Sequence, residues 1–222
     1  MILKRILKQI DRALFPKFYN GGDDYRELLS KEILDGNESL LDIGCGGNSP
    51  AAKAARQLKY SMGVDGFGPA VDGSRQAKTH TENKQMNILN VAREFKPKSF
   101  DCVVALDLIE HQTKEEGEKL LRDMESIAKK KVVIFTPNGF VHQGEYDGND
   151  FQIHKSGWTA AEMRARGFRV YGLNGLRYLR GEYARPKWRP EWFWQRILYH
   201  TQWFVRLFPR FAYQILAVKE LS

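Results

Sequence analysis

The fold of this chain is decided by Leu40-Leu41-Asp42-Ile43-Gly44-Cys45-Gly46-Gly47-Asn48. An apolar run that contains one acidic residue, Asp42, breaks here into closely spaced glycines. Glycine has no Cβ, so the backbone at Gly44 and Gly46 can adopt unusual angles and approach a ligand closely. The pattern predicts a buried parallel strand whose carboxyl end carries a ligand-binding loop. The alternative is an ordinary strand-to-helix turn with incidental glycines.

Two common phosphate-binding loops do not match this stretch. A dinucleotide-binding loop would have a third glycine three residues after the second, where this chain has Ser49. A P-loop would have a lysine after the glycines, and none follows here. The ligand must therefore be inferred from the segments that come later in the chain.

Further apolar segments follow the same plan and end in polar or turn-forming residues: 60–65, 85–89, 100–106 and 131–136. Helical patterns over 50–59 and 113–129 lie between them. Repeated β-α units with apolar strands and polar carboxyl-terminal loops are typical of a doubly wound, mostly parallel α/β sheet.

The Asp-x-Gly-x-Gly stretch resembles motif I of the class I S-adenosylmethionine (SAM)-dependent methyltransferases. The resemblance runs over about residues 40–173 and resumes at the last strand. It implies a Rossmann-like, seven-stranded, mostly parallel sheet. Strands six and seven, at 168–173 and 211–219, would pair as a hairpin at its edge. It also implies SAM as the cofactor and S-adenosylhomocysteine (SAH) as its product.

The same resemblance assigns the residues that would bind SAM. The glycine loop would wrap the methionyl part, with the acid of motif I near the amino group. Asp65, 23 positions after Asp42, can accept hydrogen bonds from both ribose hydroxyls. Asn87 stands where the family usually has aspartate to hold the adenine amino group, and its carbonyl can still accept. The predicted cofactor-binding residues are Asp42, Gly44, Cys45, Gly46, Asp65, Gly66, Phe67, Asn87, Ile88, Asp107 and Leu108.

Methyl transfer from a sulfonium is an in-line displacement, so its main requirement is alignment of the acceptor with the methyl donor. A base is needed only when the acceptor loses a proton, as a sugar hydroxyl would and a carboxylate would not. We predict His111, after the fourth strand, and His154, in the long loop 140–158, as catalytic residues. The alternative for each is a surface or capping role. Thr159 with Glu162 also predicts a capping box that starts a helix close to His154.

Asp107, Glu110 and His111 have the spacing that places side chains on one face of a helix. They resemble an acid-x-x-Glu-His element of the quinone-type O-methyltransferases, where it can bind a divalent cation. The alternative is a helix N-terminus that favours acids. Because three ligands of this kind do not define a metal site by themselves, we assign no metal from the sequence.

The 222 residues are enough for one domain with a full core. Cys45 and Cys102, the only cysteines, lie in predicted core segments, which indicates a reducing compartment. The sequence has no apolar run of about 18 residues that would span a membrane, and its first residues do not match a signal peptide. We expect a cytoplasmic, single-domain protein. Its parts would be amphipathic N-terminal helices (1–36), a SAM-binding core (37–175 and 211–222) and a basic, aromatic helical insertion (176–210).

The insertion is dense in aromatic and basic residues, within a chain of net charge +8. It could be a helical cap over the active site, an interfacial element on an anionic membrane, or a grip for nucleic acid. The membrane interpretation would use segments 1–15 and 188–208 and place the protein at the inner face of the membrane. One apolar stripe is predicted within the insertion, opposite Gln195, Gln202 and Arg206, and comprises Phe193, Ile197, Phe204 and Phe208.

DNA and RNA amino-methyltransferases typically carry an Asn/Asp-Pro-Pro-aromatic motif after strand four. This chain has Asp107-Leu108-Ile109-Glu110 there, which argues against nucleic acid as the substrate. Segments 106–111, 136–140 and 154–158 instead resemble small methyltransferases of types 11 and 23 that are often found with surface-polysaccharide biosynthesis proteins. We predict SAM-dependent O-methylation of a small molecule or a glycan, such as a lipid-linked sugar. The alternatives are a nucleic-acid methyltransferase and a SAM-binding, membrane-associated protein without catalysis.

Overall fold

The computed structural model describes residues 24–144, 152–181 and 184–221. The α-helices of this part are α1 (Asp24–Leu34), α2 (Ala52–Ala55), α3 (Gly68–Gln76), α4 (Val91–Glu94), α5 (Lys114–Ile127), α6 (Ala160–Ala165), α7 (Glu191–His200) and α8 (Gln202–Leu207). The strands are β1 (Ser39–Ile43), β2 (Tyr60–Asp65), β3 (Glu82–Gln85), β4 (Phe100–Leu106), β5 (Ala128–Pro137), β6 (Arg169–Leu176) and β7 (Ala212–Glu220). Short 3₁₀ turns cover Ile88–Asn90, Ile109–His111, Arg177–Leu179 and Pro209–Phe211. Each helix in these ranges is too short or too polar to cross a membrane.

The seven strands form one mixed sheet in the order β3-β2-β1-β4-β5-β7-β6. Strands β1 to β5 pair in parallel, and β7 runs antiparallel between β5 and β6. The predicted doubly wound sheet and its edge hairpin are therefore confirmed. The strand order reverses between β1 and β4, which places a ligand-binding crevice at the carboxyl ends of these two strands.

Strand ends shift by up to three residues from their predicted positions, and two predicted segments differ more substantially from the structure. Residues 50–59 contain only the short helix α2, because the chain leaves the helix to enter β2 at Tyr60, whose amide bonds the Glu38 carbonyl at 3.2 Å. Segment 85–89 is mostly the loop after β3. This edge strand consists of the polar residues 82–85, so it lacks the apolar pattern that marks a buried strand.

Strands β1 and β4 are buried on both faces of the sheet, which explains their nearly continuous apolar sequence. On one face they pack against the predicted inward side of α5: Leu120, Leu121, Met124 and Ile127. On the other face they pack against Leu29 and Ile33 of α1. Residues 24–36 are the described part of the predicted segment 1–36 and contain α1, and segment 1–15 lies outside the described residues.

Helices α7 and α8 pack on the edge strand β6 through two of its glycines. A Cβ added at Gly172 would lie 2.0 Å from the carbonyl oxygen of Val205, and one at Gly175 would lie 2.6 Å from that of Leu198. Val205 and Leu198 are accordingly buried. Gln202 strengthens the contact, because it donates to the Gly172 carbonyl (3.0 Å) and accepts from the Gly175 amide (3.2 Å).

The predicted apolar stripe of the insertion is wrong. Phe193 and Phe208 are exposed, and Gln202, predicted on the opposite side, faces β6. The insertion is not one continuous helix, because a turn at Thr201 separates α7 from α8. A single helical periodicity of 3.6 residues therefore does not extend from α7 into α8. The residues buried on the inward side of the two helices are Leu198 and Val205.

We expect Gly172→Ala to lower the free energy of unfolding by about 1–3 kcal/mol, the usual cost of an extra methyl group in a packed site. The added Cβ would collide with the backbone of α8. Urea unfolding measures the effect. Gly144→Ala is the matched control, since no described residue comes within 4 Å of its added Cβ. Equal stabilities of the two variants would contradict the docking of α8 on β6.

Candidate active site

The loop after β1 has the open backbone that its glycines predict. Gly44 and Gly46 have φ angles of +72° and +56°, a region that favours glycine. A Cβ at Gly44 would lie 2.5 Å from Cδ1 of Leu108, so the loops after β1 and β4 touch at this point. No described residue lies within 4 Å of a Cβ built at Gly46, which leaves room for a ligand there.

Asp65 ends β2, and its carboxylate joins two loops. Oδ2 accepts a hydrogen bond from the amide of Gly46 (3.0 Å), and Oδ1 accepts one from the amide of Phe67 (2.9 Å). These bonds fix the carboxylate beside the glycine loop. Each oxygen retains a further lone pair that can accept from a ligand hydroxyl, which is what the predicted ribose-binding role requires.

Asp42, two residues before Gly44, is fully buried. Its Oδ2 accepts hydrogen bonds from the Ser49 hydroxyl and from Nε2 of His80 (3.1 Å). Its Oδ1 has no hydrogen-bond partner within the described part of the chain. A buried carboxylate oxygen without a donor is costly, so it would be stabilised by a positively charged ligand group such as the amino group of SAM.

His80 positions the carboxylate of Asp42 and was not among the predicted site residues. Its Nδ1 lies 2.9 Å from the hydroxyl of Thr79, which in turn contacts Ser74. Gly63 makes room for this arrangement, because a Cβ there would lie 2.7 Å from Nδ1 of His80. No local sequence signal connects His80 with Asp42, since 38 positions separate them and only the fold brings them together.

Five further predicted cofactor residues lie on the loops after β1, β2 and β3. Cys45 offers its backbone rather than its thiol, because burial raises the pKa of that thiol to about 12. Gly66 and the half-buried Phe67 form the turn after β2. Asn87 is exposed, and its Oδ1 accepts from the amide of Leu89 (2.9 Å), which leaves one lone pair for the predicted adenine contact. Ile88 beside it is half-buried.

The turn after β4 begins with Asp107, whose φ of +49° is rare for a residue with a side chain. Its Oδ1 accepts a hydrogen bond from Nε2 of Gln214 on β7 (3.1 Å). The side chain faces an open cavity, yet the surrounding protein still desolvates it. This desolvation raises the pKa of Asp107 to about 7, against the opposing effect of the Gln214 hydrogen bond.

A cavity of about 260 Å³ opens where the loops after β4 and β5 meet β7. It is lined by Asp107, Glu110, His111, Pro137, Gln143, Gln152, His154, Ala184, Tyr213 and Gln214. The two histidines predicted to be catalytic thus share one cavity. Asp107 lies in its wall while the adjacent Leu108 packs over Gly44, so the cavity and the glycine loop are neighbours.

His111 and His154 lie side by side, with 4.8 Å between their ring centroids. Nδ1 of His111 lies 3.3 Å from the carbonyl oxygen of Ile153, and Nδ1 of His154 lies 2.7 Å from that of Val141. A carbonyl oxygen only accepts, so each Nδ1 carries the proton and each Nε2 keeps a lone pair. Desolvation lowers both pKa values, that of His111 to about 4, and both rings are therefore neutral at pH 7.

Glu110 is buried beside these rings and accepts a hydrogen bond from the Thr136 hydroxyl (2.9 Å). Burial and the nearby carboxyl of Asp107 raise the pKa of Glu110 well above its usual value. Ligand-type atoms of Glu110, His111 and His154 all lie within 4.8 Å of one another. This set of potential metal ligands differs from the one considered in the sequence analysis, because it contains His154 in place of Asp107. Two imidazoles and a carboxylate form a set that could hold a zinc-like divalent cation.

The carboxyl-terminal end of the long loop after β5 is pinned next to the cavity. The carbonyl oxygen of Glu110 accepts from the amide of Ser156 at 3.0 Å. Thr159 and Glu162 then form the predicted capping box at the start of α6. The helix is therefore capped without His154, whose ring lines the cavity instead. The middle of this loop, residues 145–151, lies outside the described residues.

Sequence reasoning missed the contribution of β7 to the cavity. Gln214 pairs with Pro137 in the register of β5 and β7, which brings its side chain to Asp107. A polar residue within the otherwise apolar run 212–218 was the available signal. Tyr213 ties the insertion to the cavity wall, because its hydroxyl accepts from the amide of Ala184 (3.2 Å).

Comparison with known proteins supports this interpretation of the fold. Residues 41–136 match the family described as Methyltransferase domain. An uncharacterised methyltransferase of Mycobacterium tuberculosis (strain ATCC 25618 / H37Rv) is 30% identical over 96 residues, which are 42% of this chain and 47% of that protein. The chain thus spans about half the length of the curated relatives it matches.

Two solved structures resemble most of the chain. A SAM-dependent methyltransferase from Archaeoglobus fulgidus superposes with a TM-score of 0.55 at 17% identity, covering 88% of this chain and 94% of that one. Magnesium protoporphyrin IX methyltransferase from Synechocystis PCC 6803, with bound SAM, superposes with a TM-score of 0.53 at 16% identity, covering 91% and 80%. At these identities the similarity establishes the fold.

The strand order and the superpositions define the fold as that of the class I SAM-dependent methyltransferases. Within it, residues 41–136 match the methyltransferase-domain family. The glycine loop, Asp42 and Asp65 lie where this fold places its ligand, at the carboxyl ends of β1 and β2.

We expect His80→Leu to lower the free energy of unfolding by about 1–3 kcal/mol, because it removes a donor from the buried carboxylate of Asp42. The misplaced carboxylate should also weaken SAH binding. Thermal unfolding and calorimetric titration measure the two effects. His200→Leu, at an exposed position on α7, is the control. Unchanged stability of His80→Leu would contradict the positioning role of His80.

Proposed function

We propose that this protein transfers a methyl group from SAM to an oxygen atom of a small molecule or a glycan. The observation that carries the proposal is a cavity beside the glycine loop into which two neutral imidazoles, His111 and His154, project. A hydroxyl acceptor needs such a proton acceptor as it reacts. The volume of about 260 Å³ lies just below the range of roughly 300–1,000 Å³ for ligand pockets, which suits a small acceptor or one sugar ring.

In this proposal the chain holds SAM along the carboxyl ends of β1 to β4. The unpartnered oxygen of Asp42 receives the amino group, and residues 44–46 cover the methionyl part. Asp65 binds the ribose hydroxyls, and Asn87 binds the adenine. Leu108 packs on Gly44, which brings the cavity directly beside this site. SAM supplies, when bound, a methyl group that is already activated on a sulfonium.

The residues of the cavity then handle the proton of the acceptor. The acceptor oxygen forms a bond to the methyl carbon, the carbon–sulfur electron pair stays with sulfur, and Nε2 of His111 or His154 takes the hydroxyl proton. The backbone carbonyls of Ile153 and Val141 hold the two Nδ1–H groups and so fix the ring orientations. Alignment of the acceptor with the methyl donor can lower the activation barrier by on the order of 7–11 kcal/mol. A positioned base increases the rate by about 10²–10⁴-fold.

Calorimetric titration with SAH tests the cofactor assignment. Asp65→Ala should weaken SAH binding about tenfold or more, because it removes the acceptor for the ribose hydroxyls and loosens the amide of Gly46. Asp72→Ala, which removes an exposed carboxylate on α3 that pairs with Arg75, is the matched control. Absence of SAH binding by the folded, unsubstituted protein would overturn the methyltransferase proposal.

SAH formation in the presence of a panel of nucleotide-linked sugars, lipid-linked sugars and small phenols tests the acceptor class. With a responding acceptor, His111→Ala and His154→Ala should leave SAH affinity within about twofold, because both rings line the acceptor cavity. The variant that lacks the base should lose about 10²–10⁴-fold in kcat. His200→Ala should retain activity. Full activity of both cavity variants would contradict the assignment of a base.

A divalent cation on Glu110, His111 and His154 is the second candidate for activating the acceptor, favoured by the close approach of their ligand atoms. Direct base catalysis predicts that protein dialysed against EDTA keeps its rate. A lost rate that returns with Mn²⁺ or Zn²⁺ would instead assign these residues to a metal centre. Metal analysis of the purified protein gives an independent measurement.

A further inference from the structure

The outward side of α7 and α8 carries large, exposed apolar side chains. Trp192 and Trp203 are each 67% exposed and Leu207 is 66% exposed, although residues of this kind are usually buried. We call the following set the aromatic-basic surface: Arg164, Trp188, Trp192, Phe193, Trp203, Leu207, Phe208 and Arg210. Clusters of exposed apolar side chains are typical of interaction sites.

Packing of the insertion on the core does not explain this surface. The inward side of α7 and α8 is already complete, with Leu198 and Val205 buried against Gly175 and Gly172 of β6. A helical cap needs only that inward side. The exposed aromatic residues are therefore available for a contact that the described part of the chain does not supply.

A groove of about 270 Å³ next to α8 combines apolar and cationic groups. It is lined by Arg164 of α6 and by Leu207, Phe208, Pro209 and Arg210. Asn138, at the end of β5, donates to the carbonyl oxygens of Pro209 (3.0 Å) and Arg210 (3.1 Å). The turn that presents Arg210 is thus held rigidly by the sheet. Two guanidinium groups flank the exposed Leu207 and Phe208, an arrangement that matches an anionic group attached to an apolar chain.

The charge of the insertion also favours an anionic partner. Residues 176–210 contain eight basic and two acidic residues, a net charge of +6 of the +8 of the whole chain. A second copy of the same surface would be repelled by this charge, and a neutral or cationic partner would not use it. Tryptophan, phenylalanine and arginine together are typical of elements that lie in the headgroup layer of an anionic membrane.

We propose that the aromatic-basic surface docks the protein on a bilayer containing anionic phospholipid, with Arg164 and Arg210 binding a lipid phosphate. Trp203, Leu207 and Phe208 enter the layer between headgroups and acyl chains. The insertion, which carries all of this surface except Arg164, also supplies Ala184 to the wall of the cavity. The docked protein then receives its acceptor close to the membrane, an inference that rests on the proposed methyl transfer.

Co-sedimentation of the full chain with vesicles tests the proposal. We expect binding to vesicles of phosphatidylcholine with phosphatidylglycerol and at least tenfold weaker binding to phosphatidylcholine alone. Two double variants, Trp203→Ala with Leu207→Ala and Arg164→Gln with Arg210→Gln, should each weaken binding about tenfold or more. The matched charge control is Lys53→Gln with Lys96→Gln, two exposed lysines outside the surface, which should bind nearly as well as the unsubstituted protein.

Quenching of tryptophan fluorescence by brominated lipid measures whether the aromatic residues enter the bilayer. The Trp203→Ala and Leu207→Ala double variant should show less quenching, while its thermal unfolding stays unchanged because both side chains are exposed. Equal binding to both vesicle types, or unaltered binding by both double variants, would overturn the proposal. The second result would assign membrane binding to another segment, such as 1–15.

A nucleic acid is the other partner that such a surface could attract. A competition experiment with the same protein distinguishes nucleic-acid binding from membrane binding. Tight binding of an RNA or DNA oligonucleotide that competes with the anionic vesicles would overturn the membrane assignment. All these measurements are made without SAM or an acceptor. Their failure is therefore distinguishable from failure of the proposed methyl transfer.

Discussion

The contact between Gly44 and Leu108 joins the two halves of the site. The φ of +72° at Gly44 and the absence of its Cβ let the side chain of Leu108 lie directly on the loop after β1. A methyl group there would lie 2.5 Å from Cδ1 of Leu108. Because Asp107 precedes Leu108 and faces the cavity, this one contact sets the position of the cavity relative to the cofactor loop. The requirement for glycine is thus steric as well as conformational.

Desolvation gives the cavity its chemical character. It raises the pKa values of Asp107 and Glu110 and lowers those of His111 and His154. All four groups are shifted toward their uncharged forms, as burial requires. The two imidazoles are then proton acceptors at neutral pH, and their orientation is fixed by the backbone carbonyls of the loop after β5. Fold and electrostatics therefore support the same assignment of this cavity to the acceptor.

The insertion before β7 connects the site with the protein surface. Its inward side fills the space left by Gly172 and Gly175 on β6. Its first residues reach the cavity, where Tyr213 binds the Ala184 amide. Its outward side carries exposed tryptophans among arginines. A sheet edge that would otherwise be open is thereby covered, and the covering element offers a second surface to a partner.

Local patterns in the sequence predicted the buried strands, the glycine loop and the cap of α6, whereas the polar edge strand β3 carries no such pattern. Apolar runs mark β1 and β4, which are buried on both faces, and Thr159 and Glu162 form a capping box through neighbouring backbone. Tertiary structure alone decided which distant side chains meet. His80 reaches Asp42 across 38 positions, and Gln214 reaches Asp107 across 107, because strand order and register fix those distances. The buried side of α7 and α8 likewise depends on the glycines of β6 and on the turn at Thr201. Neither feature can be derived from the hydrophobic periodicity of the sequence.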